Sequence, residues 1–564
     1  VATYQPELYE RVIDTERISY GEVFTRRWVV ETLLDLVGYD AARDLTRLIL
    51  VEPSAGSGAF LLPAIERLLA ARERAGVQFA ELEPCIRAFD LQPRSAVRCR
   101  EVVEALLLKA DCPLDVATHL ASAWVVAGDY LLDERANVQA DVIVGNPPYI
   151  RLEDVPDELS LLYRRRCPTM VGRADIYVGF LERGLARLKP DGRLGFISAD
   201  RWMRNQYGAA LRQYVADGYA LEHVWTMHDV DAFESKVSAY PAITMLHNGK
   251  QGPVVVADTD ASFTESSAAA LSEWARSGTP GGSHGHGYRA YRLPHWFPGE
   301  EMWPTGAPTR LALIEYLTDH FPPLHDPLTR TRVGIGVATG ADDVFITTDP
   351  ELVEPDRLLP LSMVRDLKSG LFTWSGRYLA NPWGADGRLV DLDVYPRLRV
   401  HLEAAGGKLR ARHTAKKNHP NNWYRTIDKV NAELTDQPKL LLQDMRTAIH
   451  PVLEQGGYYP HHNLYYVVSD TWDMEILGGL LLSRVAQAFI EAYAVRMRGN
   501  TLRFQAQYLK KITVPPFADI PDQLADELRA AFRARDSRAA TRAAIAAYGV
   551  EDLAHGLNGE EGVL

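Results

Sequence analysis

The chain has 564 residues, 46% apolar and 24% charged, with a formal net charge of −12. That length supports two or three domains and at least one large core, and the acidic total excludes a global basic field, so a polyanion would have to meet locally concentrated Lys and Arg. Four scattered cysteines, Cys85, Cys99, Cys112 and Cys167, show no CxxC and no ligand spacing, which argues against a zinc site, sets the expectation of no metal, and fits reduced thiols in a cytoplasmic protein.

Residues 1–19 are polar and charged and carry no signal-peptide pattern. From about 47 to 249, strand-like runs alternate with helical stretches. RLILVEP (47–53) reads as a strand ending in a glycine turn, with a helix from about Phe60 to Arg74. CIRAFDLQP is a second strand, followed by a helix through 102–108; AWVVAGDYL is a third strand and ADVIVGNPPY a fourth. YVGFLERGLARLKPDG has helical periodicity and is expected to stop at Pro190 and Gly192. RLGFISADRW is a fifth strand, and ALEHVWTMHD and YPAITMLHNG close the unit. The alternation predicts an α/β fold, a mainly parallel sheet with helices on both faces. Residues 250–310 mix a strand, a short helix and a Gly/Ser/His-rich loop, and read as a connecting region. His284 and His286 form an HxH there without an acidic or Cys partner, expected to be a solvated loop rather than a metal site. From 311 to 515 the chain is irregular and rich in Trp, Tyr, Pro and Arg, which reads as a separate α+β domain. Its apolar run 476–495 carries Arg484, Gln487 and Glu491, so a buried amphipathic helix is expected and no membrane span. The last 45 or so residues, rich in Ala and Arg, read as helical.

Four stretches carry chemistry. In VEPSAGSGAFL, Gly56 and Gly58 sit between a strand and a helix at the C-terminal end of a parallel sheet, where a nucleotide-like ligand approaches the backbone closely. No GKS or GKT follows, so it is not a phosphate loop. Asp90, ending the next strand, is placed to accept two ribose hydroxyls; Asp129, ending the third, to accept from an adenine amine; Glu52 adds a carboxylate at the turn. Three acids suit a ligand with a ribose, an adenine and a cationic end, as in S-adenosylmethionine, although each Asp alone can equally cap a helix or a turn. Next, Asn146-Pro147-Pro148-Tyr149 ends the fourth strand. Two prolines fix the chain, presenting the Asn146 side-chain oxygen and the Pro147 carbonyl to one amino group, with Tyr149 available to stack. Two acceptors placed tetrahedrally favour the pyramidal amine whose lone pair meets a methyl donor, a stabilisation realised in the transition state. Third, Phe233 in DAFESKVSAYPAITM is placed to close an aromatic sandwich with Tyr149, with core packing as its commoner fate. Finally, GGKLRARHTAKKNHPNNWYRT holds Lys408, Arg410, Arg412, Lys416, Lys417 and Arg425, and AVRMRGNTLRFQAQYLKK holds Arg496, Arg498, Arg503, Lys510 and Lys511, both without an acidic residue. Interleaved with Trp423, Tyr424, Phe504 and Tyr508, these runs suggest a phosphate-tracking surface.

Taken together, and in this order, GEVFTRRWVVETLLDLVG, VEPSAGSGAFL, RAFDLQP, AGDYL, VGNPPYI, LARLKPDGRLGFISADRWMRN and DAFESKVSAYPAITM resemble the motifs of the gamma-class adenine-N6 DNA methyltransferases, the TaqI-like restriction–modification group. In the second domain GVATGADDVFI, LLPLSMVRDLKSG, KNHPNNWYRT and MRGNTLRFQAQYLKKITVP are similar to segments of that family's target-recognition domain. The resemblance covers roughly residues 20 to 515. It implies a Rossmann-like S-adenosylmethionine-dependent methyltransferase domain at 1–250, a connecting region at 251–310, a DNA target-recognition domain at 311–515 and a helical tail at 516–564. It implies cofactor contacts from Thr25, Glu52, Pro53, Ala55, Gly56, Gly58, Asp90, Asp129 and Pro147, and a flipped adenine held by Asn146, Pro147, Pro148, Tyr149 and Phe233. Double-stranded DNA is the implied substrate, and a cognate restriction endonuclease or a defence complex the implied cellular partner. One departure is Thr25-Arg26, where the family commonly has Thr-Pro. Asn-Pro-Pro-Tyr is shared with glutamine-N5 protein methyltransferases and, in variant form, with some RNA methyltransferases, which stay open as alternatives; those glutamine enzymes are shorter and lack the basic C-terminal domain.

Overall fold

The computed structural model describes residues 24–234, 240–304, 306–413, 415, 422–494, 496–497, 501–554 and 557. Two compact units divide the chain, 1–312 and 313–564.

The first unit is built on one ten-stranded sheet. Its strands are β1 (Leu50–Glu52), β2 (Ile86–Asp90), β3 (Val125–Ala127), β4 (Ala140–Gly145), β5 (Leu188–Ala199), β6 (Ala220–Thr226), β7 (Pro241–His247), β8 (Val254–Thr259), β9 (Gly281–Gly285) and β10 (Tyr288–Leu293). They lie in the order β3-β2-β1-β4-β5-β7-β6-β8-β10-β9. The first five pair in parallel and β7 runs antiparallel to both neighbours. β1 is buried along its whole length and β4 at every position but Asp141, because both of their faces are covered. From β1 the chain adds β2 and β3 on one side, then β4 and β5 on the other, so the winding reverses between β1 and β4. A crevice outside the carboxyl ends of the strands at such a switch point is where open α/β sheets bind ligands.

The helices that bear on the site are α1 (Arg27–Leu36), α2 (Leu61–Ala75), α3 (Pro93–Lys109), α4 (Leu114–Trp124), α5 (Asp157–Arg166) and α6 (Tyr177–Leu185). α1 buries Val29, Val30, Leu33 and Leu34, an i, i+1, i+4, i+5 stripe, in the core against the sheet. α2 stops at Gly76, whose φ of 69° is cheap only for glycine.

Three expectations are corrected here. Residues 250–310 are not a connector: β8 pairs in parallel with β6, and β10 pairs antiparallel with both β8 and β9, so three strands and the helix Glu265–Ser277 belong to the first unit, and His284 and His286 fall in the β9–β10 hairpin. α6 ends at Leu185 rather than at Pro190 and Gly192. Lys189 to Gly192 instead forms a bulge at the start of β5, where the register on β4 jumps between Ala140 and Val142 and Asp191 takes a φ of 63°. The run 476–495 is two helices, Met474–Leu482 and Arg484–Tyr493, bent by 61° at Ser483, whose Oγ caps the second by accepting from the Ala486 N–H.

Among the described residues, the second unit has two four-stranded sheets and a three-stranded one. The first is antiparallel: Arg332–Ile335, Leu464–Val468, Lys439–Gln443 and Val452–Glu454, in that order. The expected tail is part of this unit: Asp522–Ala534 and Ser537–Tyr548 pack on Met474–Leu482. Gly478 and Gly479 permit that approach, since a Cβ on either would lie 2.5 Å from Phe532 or from the Leu528 carbonyl oxygen. Among the described residues no single helix is long and apolar enough to cross a membrane.

Candidate active site

The switch point between β1 and β4 holds a cavity of about 150 Å³. The glycine turn after β1 forms one wall. Gly56 has a φ of 52° and Gly58 of 92°, with the Gly58 N–H donating to the Ala55 carbonyl at 2.8 Å. A Cβ at Gly56 would meet nothing within 4 Å, so the turn leaves open space on the ligand side. Gly58 itself is not a wall residue: its Cα faces Leu62 and Cys99, and it serves the turn.

Three carboxyl groups line the cavity. Asp90 accepts from the Gly56 and Gln92 N–H groups, one on each oxygen and both at 2.8 Å. Asp129 is buried and accepts from the Tyr163 hydroxyl at 2.7 Å and from the Leu131 N–H at 2.8 Å. Both therefore perform the turn-bracing expected of any Asp at a strand end and still line the cavity. Glu52 differs. It is 1% exposed, and its Oε2 finds no hydrogen-bond partner among the described residues. Burial, and then the charge of Asp90, hold its carboxyl well above the usual carboxylate range.

The opposite wall is Asn146-Pro147-Pro148-Tyr149, at the end of β4. Gly145 lets this end pack closely, since a Cβ there would lie 3.3 Å from Pro53, the residue after β1. Ser54 Oγ donates to the Asn146 carbonyl at 3.0 Å, tying the two walls together. The Asn146 Nδ2 donates to Thr25 Oγ1 at 3.3 Å, and the Tyr149 hydroxyl donates to the Ile197 carbonyl at 3.3 Å. The asparagine amide is thus oriented by the bond of its nitrogen to Thr25.

Thr25 reaches this place because residues 24–26 pair with 232–234: the Arg26 N–H donates to the Ala232 carbonyl at 3.0 Å and the Glu234 N–H to the Phe24 carbonyl at 2.9 Å. Arg26 has a φ of −62°, a value proline shares, but it uses the N–H that proline lacks and pairs with Asp231 at 2.7 Å. The Thr-Arg departure therefore leaves Thr25 on the cavity wall. Phe233 is brought next to Thr25 by the same bridge, but its ring is buried in the core and does not line the cavity.

Sequence reasoning passed over Phe24, Tyr130, Tyr163, Ile176 and Phe180, all wall residues. Phe180 stacks on Tyr130 with ring centres 5.4 Å apart. Tyr163 on α5 and Phe180 on α6 occupy buried helix positions like any core residue, so periodicity alone could not set them apart.

A comparison with known families matches residues 114–233 to the Eco57I restriction-modification methylase model. The chain is 43% identical over 547 residues to the Type II methyltransferase M.PaeR7I of Pseudomonas aeruginosa, covering 96% of this chain and 94% of that one. It is 41% identical over 537 residues to M.XhoI of Xanthomonas vasicola, covering 94% and 97%. The chain belongs to the Type II methyltransferase family. Among solved structures, the Type IIL restriction-modification enzyme MmeI in complex with DNA overlaps 99% of this chain and 75% of its own, at 11% identity and a TM-score of 0.48.

The basic runs of this Type II methyltransferase fare unevenly. Lys408 pairs with Asp343 at 2.6 Å, and Arg410 lies over the Trp423 ring at 3.8 Å. Arg412 is corrected: its guanidinium donates to the carbonyls of Thr339, Trp423, Arg425 and Leu409, which makes it an internal brace. Arg503 is paired with Asp444 at 3.1 Å. Lys510 is exposed, and Lys511 Nζ lies 5.7 Å from the centre of the Tyr493 ring. Lys416, Lys417, Arg498 and the side chain of Arg496 lie outside the described residues.

Proposed function

We propose that this Type II methyltransferase is a gamma-class, adenine-specific DNA methyltransferase, moving a methyl group from S-adenosylmethionine to N6 of an adenine extruded from duplex DNA. The observation that carries it is the meeting, at one switch point, of an acidic glycine-turned cavity with an asparagine whose amide is already oriented. The cavity fits the cofactor. Glu52 brings a buried acceptor that has no partner among the described residues, the open face of Gly56 admits a close ligand, and Asp90 and Asp129 add two further carboxylates to the cavity wall. When bound, S-adenosylmethionine supplies a methyl made electrophilic by its sulfonium.

The chain's own residues do the rest. Glu52 and Asp90 bind hydroxyl and ammonium donors, and Asp129 the adenine end. Asn146 Oδ1 and the Pro147 carbonyl accept from the target amine, drawing its lone pair out of conjugation at the moment it attacks. Tyr149 stacks on the base, which offsets part of an unstacking cost of a few kcal/mol. The second unit is the target-recognition domain, with Arg410, Lys510 and Lys511 as its described candidates for phosphate contact. Duplex DNA is the substrate, and a cognate endonuclease or defence complex shares its recognition sequence.

Expression in a host lacking adenine methylation, followed by modification-sensitive sequencing, is expected to reveal one adenine-containing motif modified throughout. Transfer of labelled methyl to a glutamine side chain or an RNA, with no adenine labelled, would overturn the reading.

A further inference from the structure

The second unit carries a concave patch that the basic runs do not account for. Two short segments build it. Residues 363–368 follow the strand Leu358–Ser362 as a tight turn, Val364–Leu367. Asp366 braces that turn: its carboxylate accepts from the Met363 N–H at 2.8 Å and its carbonyl from the Thr373 N–H at 3.0 Å. Residues 461–463 follow the strand Tyr459–Pro460, which pairs in parallel with Leu361 and Ser362. The His461 N–H donates to the Ser362 carbonyl at 3.1 Å, and the Leu464 N–H closes the turn on the His461 carbonyl at 2.8 Å. Backbone bonds thus hold the two segments in one fixed relation.

Between them lies a cavity of about 410 Å³ lined by Met363, Val364, Arg365, Lys368, His461 and Asn463. His461 is 1% exposed, and its Nε2 lies 3.1 Å from Asp342 Oδ2, which orients the ring; its Nδ1 has no hydrogen-bond partner among the described residues. Arg365, Lys368 and Asn463 are exposed, and among the described residues neither cation is ion-paired. This sets them apart from Lys408, Arg412 and Arg503, whose charges or donors are already engaged.

The chemistry of the patch is mixed, and phosphate tracking does not need the mixture. Arg and Lys match the O6 and N7 acceptors of guanine, Asn matches the N6 and N7 edge of adenine, and apolar groups such as Met363 and Val364 match a thymine methyl. Phosphate contacts need only donors and positive charge. We infer that this cavity reads base edges of the recognition sequence, Arg365 and Lys368 toward guanine and Asn463 toward adenine, on a frame set by Asp366 and the Asp342–His461 pair. The inference rests on the DNA methyltransferase reading above.

The test uses the full chain with Arg365→Ala, Lys368→Ala and Asn463→Ala, all at exposed positions, with folding checked by circular dichroism. Each variant is expressed in the methylation-deficient host for motif sequencing, then purified for turnover on cognate and single-substituted duplexes at several salt concentrations. Base reading predicts that kcat/KM on the cognate site falls roughly tenfold or more for each variant and that discrimination relaxes at one base pair, while cofactor affinity stays within about twofold. Variants that keep the wild-type motif and turnover would overturn the inference and leave the methyltransferase reading standing. So would a uniform loss on all duplexes with a shallower salt slope, which is the signature of phosphate contact. If the wild-type protein modifies no adenine, the underlying reading fails first.

Discussion

Asn146 is held at both ends, its side-chain nitrogen by Thr25 and its carbonyl by Ser54. In the proposed mechanism that support serves a transition-state contact, because it orients the amide before a substrate arrives. Asn146→Ala is expected to lower kcat by about 100- to 1,000-fold, the range for losing one preorganised polar contact, while calorimetric titration shows unchanged cofactor affinity. Glu52 makes a second prediction. Its raised carboxyl is protonated over a wider pH range than an exposed glutamate's. A ligand that donates hydrogen bonds or carries positive charge favours the ionised form, so binding releases a proton and affinity rises with pH until Glu52 is ionised in the free protein as well. Titrations in buffers of different ionisation enthalpy should show that proton, and Glu52→Gln should lose it. The four-residue motif and the acids at strand ends were legible in the residue string. Phe24 and the Thr25–Asn146 bond were not, because their partners lie over a hundred positions apart.

Helices and strands were legible where periodicity was strong, and misread where tertiary contacts overrode a local signal. Lys-Pro-Asp-Gly is a normal helix stop, yet here it is a bulge inside β5 because Leu188 already pairs with Ala140. The apolar run after Met474 has a helix period throughout but turns at Ser483, where the serine side chain satisfies the next helix's free N–H. Another feature hidden in composition is the Lys439–Glu454 ion pair, directly opposed on neighbouring antiparallel strands and buried on both sides. Lys439 Nζ also donates to the carbonyls of Thr435 and Tyr458, and Glu454 accepts from the Gly456 N–H, so every strong donor and acceptor is engaged. Removing one partner leaves an uncompensated buried charge. Lys439→Met is expected to destabilise the protein by about 3–5 kcal/mol in urea unfolding, and adding Glu454→Leu should restore most of that loss.

At the scale of the whole molecule, the chain folds as two compact units, with the cavity wholly within the first. A ligand that binds only the folded state of one unit stabilises that unit by mass action. Scanning calorimetry with S-adenosylhomocysteine at about 100 times its dissociation constant is therefore expected to raise one unfolding transition by the equivalent of about 2.7 kcal/mol and leave another in place. A single transition shifting as a whole would show that the units unfold together. The boundary itself was the least legible feature. The Gly- and Ser-rich composition of 250–310 suggested a linker, but strand pairing with β6 is a long-range backbone contact that composition does not encode.

The sequence by itself determined the α/β alternation, the glycine turn, the three acids and the rigid Asn-Pro-Pro-Tyr end of a strand, because these depend on residue type and on neighbours a few positions away. Only the tertiary structure decided which acid lacks a partner among the described residues, that Phe233 lies in the core while Phe24 lines the cavity, and that Arg412 is a brace. Those outcomes depend on which distant groups reach one another, and burial and hydrogen bonding are settled by that meeting.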